Sequence, residues 1–169
     1  MILKDEEKTM ILHNIDPVYD SNSGVLILGS FPSPKSREQG FFYGHPRNRM
    51  WKVLASVFGE PFPETVNDRK SFLLRNRIAM WDVLSECERK GASDVSIRSE
   101  KPNDLSRIFG EADIKAVFAA GSSAAKYYRK YDLGRYDVPF TALRSTSPAN
   151  AAVSLEELIE EYRCIRFLQ

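Results

Sequence analysis

Cysteine, histidine and charge of one sign are all scarce in this chain, and each scarcity removes a class of function. The two cysteines, Cys87 and Cys164, stand far apart. They are too few for the four-thiolate set of an iron–sulfur cluster or a structural zinc site. No metal and no other cofactor is expected, and the thiols read as reduced, part-buried groups of a cytosolic protein rather than a disulfide framework. Formal net charge is only +1, so there is no blanket basic coat, and any nucleic-acid contact has to come from a local patch. No apolar run approaches the ~20 residues that cross a bilayer, and the opening MILKDEEK lacks the basic start and apolar stretch of a secretory signal. The expectation is a soluble, cytoplasmic protein that does not engage a membrane. Internal repeats and low-complexity segments are absent as well.

What the chain does have is apolar content. With 169 residues, 43% of them hydrophobic, it is long enough for one sizeable core and short enough that a single domain over 1–169 is the expectation. Residues 25–28, 78–84, 114–120 and 139–143 are apolar, partly β-branched and bounded by turn residues, which predicts four buried strands. Between them, Met50, Val53, Leu54 and Val57 fall on one helical stripe that Gly59 and Pro61 end. Shorter helices are predicted at 105–109 and 122–131. Ser154 and Glu157 form a capping box for a last helix whose apolar face repeats through Leu155, Leu158, Ile159, Tyr162 and Ile165. Helices alternating with near-continuous apolar strands imply an α/β fold, a mostly parallel four-stranded sheet covered on both faces.

In such a sheet ligands bind beyond the carboxyl ends of the strands, which singles out three loops. The first, GSFPSPKSREQGFFYGHPRNRMW, carries glycines and prolines that suit irregular backbone, interleaved with Phe41, Phe42 and Tyr43. An aromatic face in a surface loop can stack on an unpaired base, and nearby Lys35, Arg47 and Arg49 can hold phosphates. Tyr43 is the ring expected to stack, the others serving as anchors. Asn48 suits a helix cap or a catalytic amide, and His45 a loop hydrogen bond or a donor to a ligand. The second loop opens a helix with Ser122 and Ser123 after Gly121, as N-cap residues or phosphate ligands. The third, Ser145, Thr146, Ser147, Pro148, Ala149 and Asn150, has the small hydroxyl residues that allow close approach to a backbone phosphate and that also make ordinary turns.

Taken together, GFFYGHPRNRMWKVL and STSPANA resemble the two signature motifs of the uracil-DNA glycosylase superfamily, in the same order. The wording of GSFPSPKSREQGFFYGHPRNRMWKVL, with AMWDVLSECERKGASDVSIR behind it, is most similar to the DNA-deoxyinosine (hypoxanthine) branch. The resemblance implies a three-layer α/β/α fold that holds double-stranded DNA across its strand ends. A deaminated base is rotated into a pocket, since a stacked base hides its glycosidic bond. It also implies a base pocket built by Gly29, Ser30, Phe31, Phe42 and Tyr43, and a DNA-contacting set of Lys35, Arg47, Arg49, Ser122, Ser123, Ser145, Thr146, Ser147, Pro148 and Asn150. Relatives carry an Asp or Asn just after the first strand to position water, and Phe31 stands there in this chain. In the deoxyinosine branch that work is attributed to an Asn in the HPRNR segment, here Asn48, with His45 as a donor to the departing base.

The reaction so implied is monofunctional: Asn48 orients a water, the base leaves with its negative charge stabilised, and the strand stays intact at an abasic site. The enzyme is expected to be a monomer. Two alternatives stand beside this reading, a mismatch-specific uracil or thymine glycosylase and a non-catalytic module that has kept the pocket and lost the chemistry.

Overall fold

Four apolar runs, too short for buried helices, pair side by side to build the centre of the molecule. The structure, a computed structural model, describes residues 9–167; MILKDEEK, with its acidic Asp5, Glu6 and Glu7, lies outside the described residues. In chain order the elements are β1 (Met10–Leu12), β2 (Val25–Gly29), α1 (Pro34–Gln39), α2 (Met50–Phe58), α3 (Val66–Arg75), β3 (Ile78–Asp82), β4 (Leu84–Glu88), a 3₁₀ turn (Asp94–Ser96), β5 (Arg98–Pro102), α4 (Ser106–Phe109), β6 (Ala116–Ala120), α5 (Ser122–Tyr131), β7 (Phe140–Leu143), α6 (Leu155–Tyr162) and α7 (Cys164–Phe167).

The main sheet has the order β3-β2-β6-β7, every neighbour parallel. Val25 to Leu28 in β2 and Ile78 to Met80 in β3 are fully buried, as expected of strands covered on both faces. The chain steps from β2 outward to β3, then crosses back over β2 to β6 and β7. Right-handed crossovers of opposite direction put their helices on opposite faces. Accordingly α3 packs on β3, α5 packs on β2, β6 and β7, and α6 returns to lie against α2. This is the three-layer α/β/α arrangement expected from the sequence.

Three local differences have identifiable causes. The first loop is not wholly irregular: Pro34 occupies the first helical turn, Ser33 caps it by accepting from the Ser36 amide at 3.1 Å, and Gly40 ends it at φ 71. Proline beside serine reads as turn chemistry, yet it is also a helix-start signal. The run 78–84 is not one strand, because the chain leaves the parallel sheet at Asp82 and begins β4 at Leu84. There it joins a second, antiparallel sheet of order β1-β4-β5; β1 is apolar but only three residues long and largely exposed, and β4 and β5 are polar, so none reads as a core strand. Helix α3 was not anticipated, since only Phe72 and Leu73 of it are buried; its Thr65–Asp68 capping box supplies the start.

Both cysteines are free, Cys87 buried and Cys164 half-buried, and burial pushes the Cys87 thiol up to about 11. Among the described residues no helix is long and apolar enough to cross a membrane.

Candidate active site

Gly29 ends β2 directly opposite Asp82, the end of β3. With Ala120 at the end of β6 and Ser145 to Pro148 after β7, they frame a cavity of about 170 Å³. The cavity lies where β2 sends the chain one way and β6 lies on the other side, the switch point at which open α/β sheets bind ligands. A void of ~150 Å³ holds benzene, so this one takes a flat ring system and leaves the rest of a nucleotide outside.

The first loop supplies one wall. Phe41 is buried and stacks on Trp51 at 5.8 Å and 18°, anchoring the segment. Phe31 and Phe42 are also buried but border the cavity. Tyr43 adopts a left-handed backbone, φ 51, which turns its half-buried ring into the same cavity. Its hydroxyl is buried with no hydrogen-bond partner among the described residues and lies 3.1 Å from where a Cβ on Gly29 would sit. Burial first, then the negative charge of Asp82, holds the phenol well above its ordinary pKa. It therefore remains an O–H donor at neutral pH, and an unpaired one, which is costly unless a ligand answers it.

Asn48 borders the cavity as well. Its Oδ1 accepts from the Met50 amide at 2.9 Å and from the Thr146 hydroxyl at 2.8 Å. A backbone N–H can only donate, so these bonds fix which way the amide faces. The Nδ2 group donates to no protein atom among the described residues, and two bonds on the oxygen polarise the amide toward stronger donation. The N-cap of α2 is Arg49, which makes no side-chain cap bond; Asn48, one residue earlier, closes an Asx turn onto the first helical amide, so helix-start residue and candidate catalytic group are the same side chain. His45, exposed at the cavity rim, accepts from the Arg47 amide through Nδ1 at 3.1 Å, which leaves Nε2 as the donor nitrogen of the ring.

Several expected DNA contacts are placed differently. Thr146 is buried and spends its hydroxyl on Asn48. Arg49 points into the third loop, donating to the carbonyls of Val153, of Asn150 at 3.0 Å and of Ser147 at 3.4 Å, while its amide donates to the Thr146 carbonyl at 3.1 Å. Both side chains brace the site from inside, because the third loop has no strand or helix of its own to hold it. Lys35 is exposed on α1 and pairs with Glu38 at 3.6 Å; Lys35 and Arg47 lie away from the cavity wall. Of the expected base-pocket residues, Ser30 does border the cavity, and its buried hydroxyl donates to Asp94 at 2.5 Å. Ser145, Ser147 and Pro148 do border the cavity, and Ser122, Ser123 and Asn150 border a larger groove that opens into it.

The residue missed by sequence reasoning is Asp82. Its Oδ2 accepts from His13 Nε2 at 2.8 Å, and His13 Nδ1 accepts from the Ile15 amide at 3.2 Å, so Nε2 carries the hydrogen. Its Oδ1 lies against Gly29, where any Cβ would collide with it, at the cavity wall. An acid ending the apolar run IAMWD was the available signal. Arg89 was missed too: its side chain is buried, donates to the carbonyls of Phe31 at 3.3 Å and Pro32 at 2.6 Å, and pairs with Asp94 at 3.4 Å.

A family model of the Uracil DNA glycosylase superfamily matches residues 17–164. The chain belongs to this superfamily. A hypoxanthine DNA glycosylase of Methanosarcina barkeri is 37% identical over 114 residues, which is 66% of this chain and 72% of that protein. One from Methanosarcina acetivorans is 37% identical over 100 residues, 59% of this chain and 63% of that protein. A solution structure from Methanosarcina acetivorans, assigned as a uracil DNA glycosylase, superposes with a TM-score of 0.78 at 28% identity, over 93% of this chain and 99% of that one. The resemblance read from the two motifs is borne out, and with it the fold. The protein is a DNA glycosylase, with DNA as its substrate.

Proposed function

We propose that this glycosylase removes deaminated bases, hypoxanthine foremost, from double-stranded DNA. It flips the nucleotide and hydrolyses its glycosidic bond, leaving an abasic site in an uncut strand, and it works as a cytoplasmic monomer without a cofactor. The observation that carries the base preference is the Asp82 carboxylate at the wall of a one-base cavity. Deamination turns an exocyclic amino donor into a carbonyl acceptor and the adjacent ring nitrogen from an acceptor into an N–H donor. An ionised carboxylate only accepts, so it pairs with the ring N–H of hypoxanthine and opposes the bare N1 of adenine. The same edge occurs in uracil, which makes uracil the second candidate. Guanine shares it but adds an amino group at C2, which the shape of the cavity has to reject.

Tyr43 then stacks on the flipped base or donates to it, and His45 Nε2–H stands at the rim as a donor to the leaving base as charge builds there. Asn48 holds the attacking water through Nδ2. An amide has no proton-accepting role near neutrality, so it orients the water while the sugar cation forms, and the water gives up its proton afterwards to solvent or a DNA phosphate. Phe31 takes no part in this step; its ring lines the cavity instead.

The test is incubation with duplexes carrying one deoxyinosine, deoxyuridine or mismatched thymidine, followed by alkali and a denaturing gel. Deoxyinosine is expected to give the fastest alkali-dependent cleavage, with no cut before alkali. Binding without excision of any of these lesions would reduce the protein to a lesion-recognition module.

A further inference from the structure

The base cavity does not stand alone. Beside it runs a groove of about 990 Å³ between the turn joining β4 to β5, the exposed side of α5 and the third loop, and it shares Ala120, Ser145 and Ser147 with the cavity wall. On α5, Ser122, Lys126 and Arg129 recur at i, i+4 and i+7, all exposed, and so line the groove as one stripe. Arg98 faces them from β5. Two acids also border the groove, and both are already neutralised. Asp94 is held by Arg89 at 3.4 Å, and Glu161 by Arg144 at 2.5 Å. Lys126, Arg129 and Arg98 make no ion pair among the described residues, and Arg98 donates through Nη1 to the carbonyls of Val95 at 3.1 Å and Ile97 at 2.7 Å, which fixes it beside the turn without neutralising it. The groove therefore carries a net positive face although the whole chain is near neutral.

The turn across the groove has a second unusual feature. Val95 is 88% exposed, an apolar side chain at the tip of a turn that is otherwise firmly tied down. Asp94 beside it accepts from Ser30 at 2.5 Å, Arg89 reaches the Phe31 and Pro32 carbonyls, and Ser96 accepts from the Lys90 amide at 2.8 Å. A fixed turn that holds one apolar residue in solvent beside a base pocket has the form of a wedge against nucleic-acid bases.

We propose that this groove holds the lesion-bearing DNA strand next to the flipped nucleotide, with Lys126, Arg129 and Arg98 on consecutive phosphates and Val95 packed against the neighbouring base. The stripe from Ser122 to Arg129 rises ~10 Å along α5 at ~1.5 Å per residue. That length exceeds the ~3.4 Å axial rise between phosphates of one strand, so the stripe can meet more than one phosphate. The side chains complement a polyanion, and the shared wall means that a base in the cavity leaves its own backbone at the mouth of the groove. The proposal rests on the glycosylase reading but not on which base is preferred.

The experiment measures binding to a duplex carrying a single tetrahydrofuran abasic analogue, so that the result is independent of base recognition, across a range of salt concentrations. Each phosphate contact contributes ~0.9 to the slope of log affinity against log salt. The Lys126→Ala/Arg129→Ala variant is expected to lower that slope by about 1.8, whereas Lys70→Ala/Lys115→Ala, the same charge change on other surfaces, leaves it unchanged. All four positions are at the surface, and thermal melts confirm that each variant is folded. Val95→Ala is expected to weaken binding several-fold at one fixed salt. A slope equal to wild type in the α5 variant, or an equal drop in the control, overturns the groove; an unchanged Kd for Val95→Ala removes the turn from it. Loss of excision on deoxyinosine with these slopes intact would instead count against the proposed substrate.

Discussion

The proposed reaction gives Asn48 two jobs at opposite ends of one amide, and its replacement separates them. In Asn48→Ala the first amide of α2, Met50, loses its side-chain acceptor, a change comparable to losing a helix cap at ~0.5–2 kcal/mol, and the buried Thr146 hydroxyl loses its acceptor, which adds ~1–3 kcal/mol. At ~2–4 °C per kcal/mol for a domain of this size, the melting temperature is expected to fall by roughly 3–20 °C. The same variant removes the only donor assigned to the water, and loss of one preorganised donor costs ~10²–10³ in rate. Asn48→Ser is the discriminating partner, because a serine hydroxyl can still accept from a backbone amide two residues on but is too short to reach the water. It should melt within a few degrees of wild type and still lose about 10²-fold in single-turnover excision of hypoxanthine at saturating enzyme. If Asn48→Ser is stable and excises within a few-fold of wild type, Asn48 is a cap only and the catalytic assignment fails.

Two further predictions follow from buried carboxylates. Because His13 can only donate from Nε2, the amide of Asp82→Asn must aim its oxygen at His13 and its N–H groups at the cavity, opposing the N–H of hypoxanthine. A mispaired buried polar group costs ~1–3 kcal/mol, so excision from deoxyinosine should drop about 10–100-fold relative to any residual action on adenine, read by parallel single-turnover assays; an unchanged ratio would remove Asp82 from base reading. Asp132 stands outside the cavity lining, its buried carboxylate without a hydrogen-bond partner among the described residues and only 3.6 Å from Arg135, and burial raises its pKa from 3.8 to about 6, Arg135 partly opposing. The folded state thus holds this proton more tightly than the unfolded chain, and stability falls as pH rises from about 4 to 6 by up to about 3 kcal/mol at ~1.36 kcal/mol per unit. Asp132→Asn should raise the melting temperature at pH 7.5 and leave it nearly unchanged at pH 4, as measured by thermal denaturation; equal shifts at both values would assign the effect to packing.

Local pattern carried much of the architecture. Apolar runs marked the parallel strands to within a residue or two at most ends, Gly59 stopped α2, and the Ser154–Glu157 box started α6, because these signals act over one or two turns of chain. The antiparallel β1-β4-β5 sheet left no such signal, because β1 is three residues long and mostly exposed and the charged strands β4 and β5 bury too little to impose a period. Among the site residues, Tyr43, Asn48 and His45 were visible from the loop that carries them, and they do share one cavity.

Which groups face that cavity was decided elsewhere. Composition and motif order were enough to specify a single α/β core, a glycosylase family and the loops where chemistry sits, since each depends on neighbours in the chain or on a pattern repeated along it. The His13–Asp82 pair, the inward turn of Arg49 and Thr146, and the groove beside α5 join residues that are distant in sequence. Such pairings exist only once parallel strands place Gly29 against Asp82 and bring the third loop back onto the first, and no local signal encodes a hydrogen bond whose two ends meet only in the folded chain.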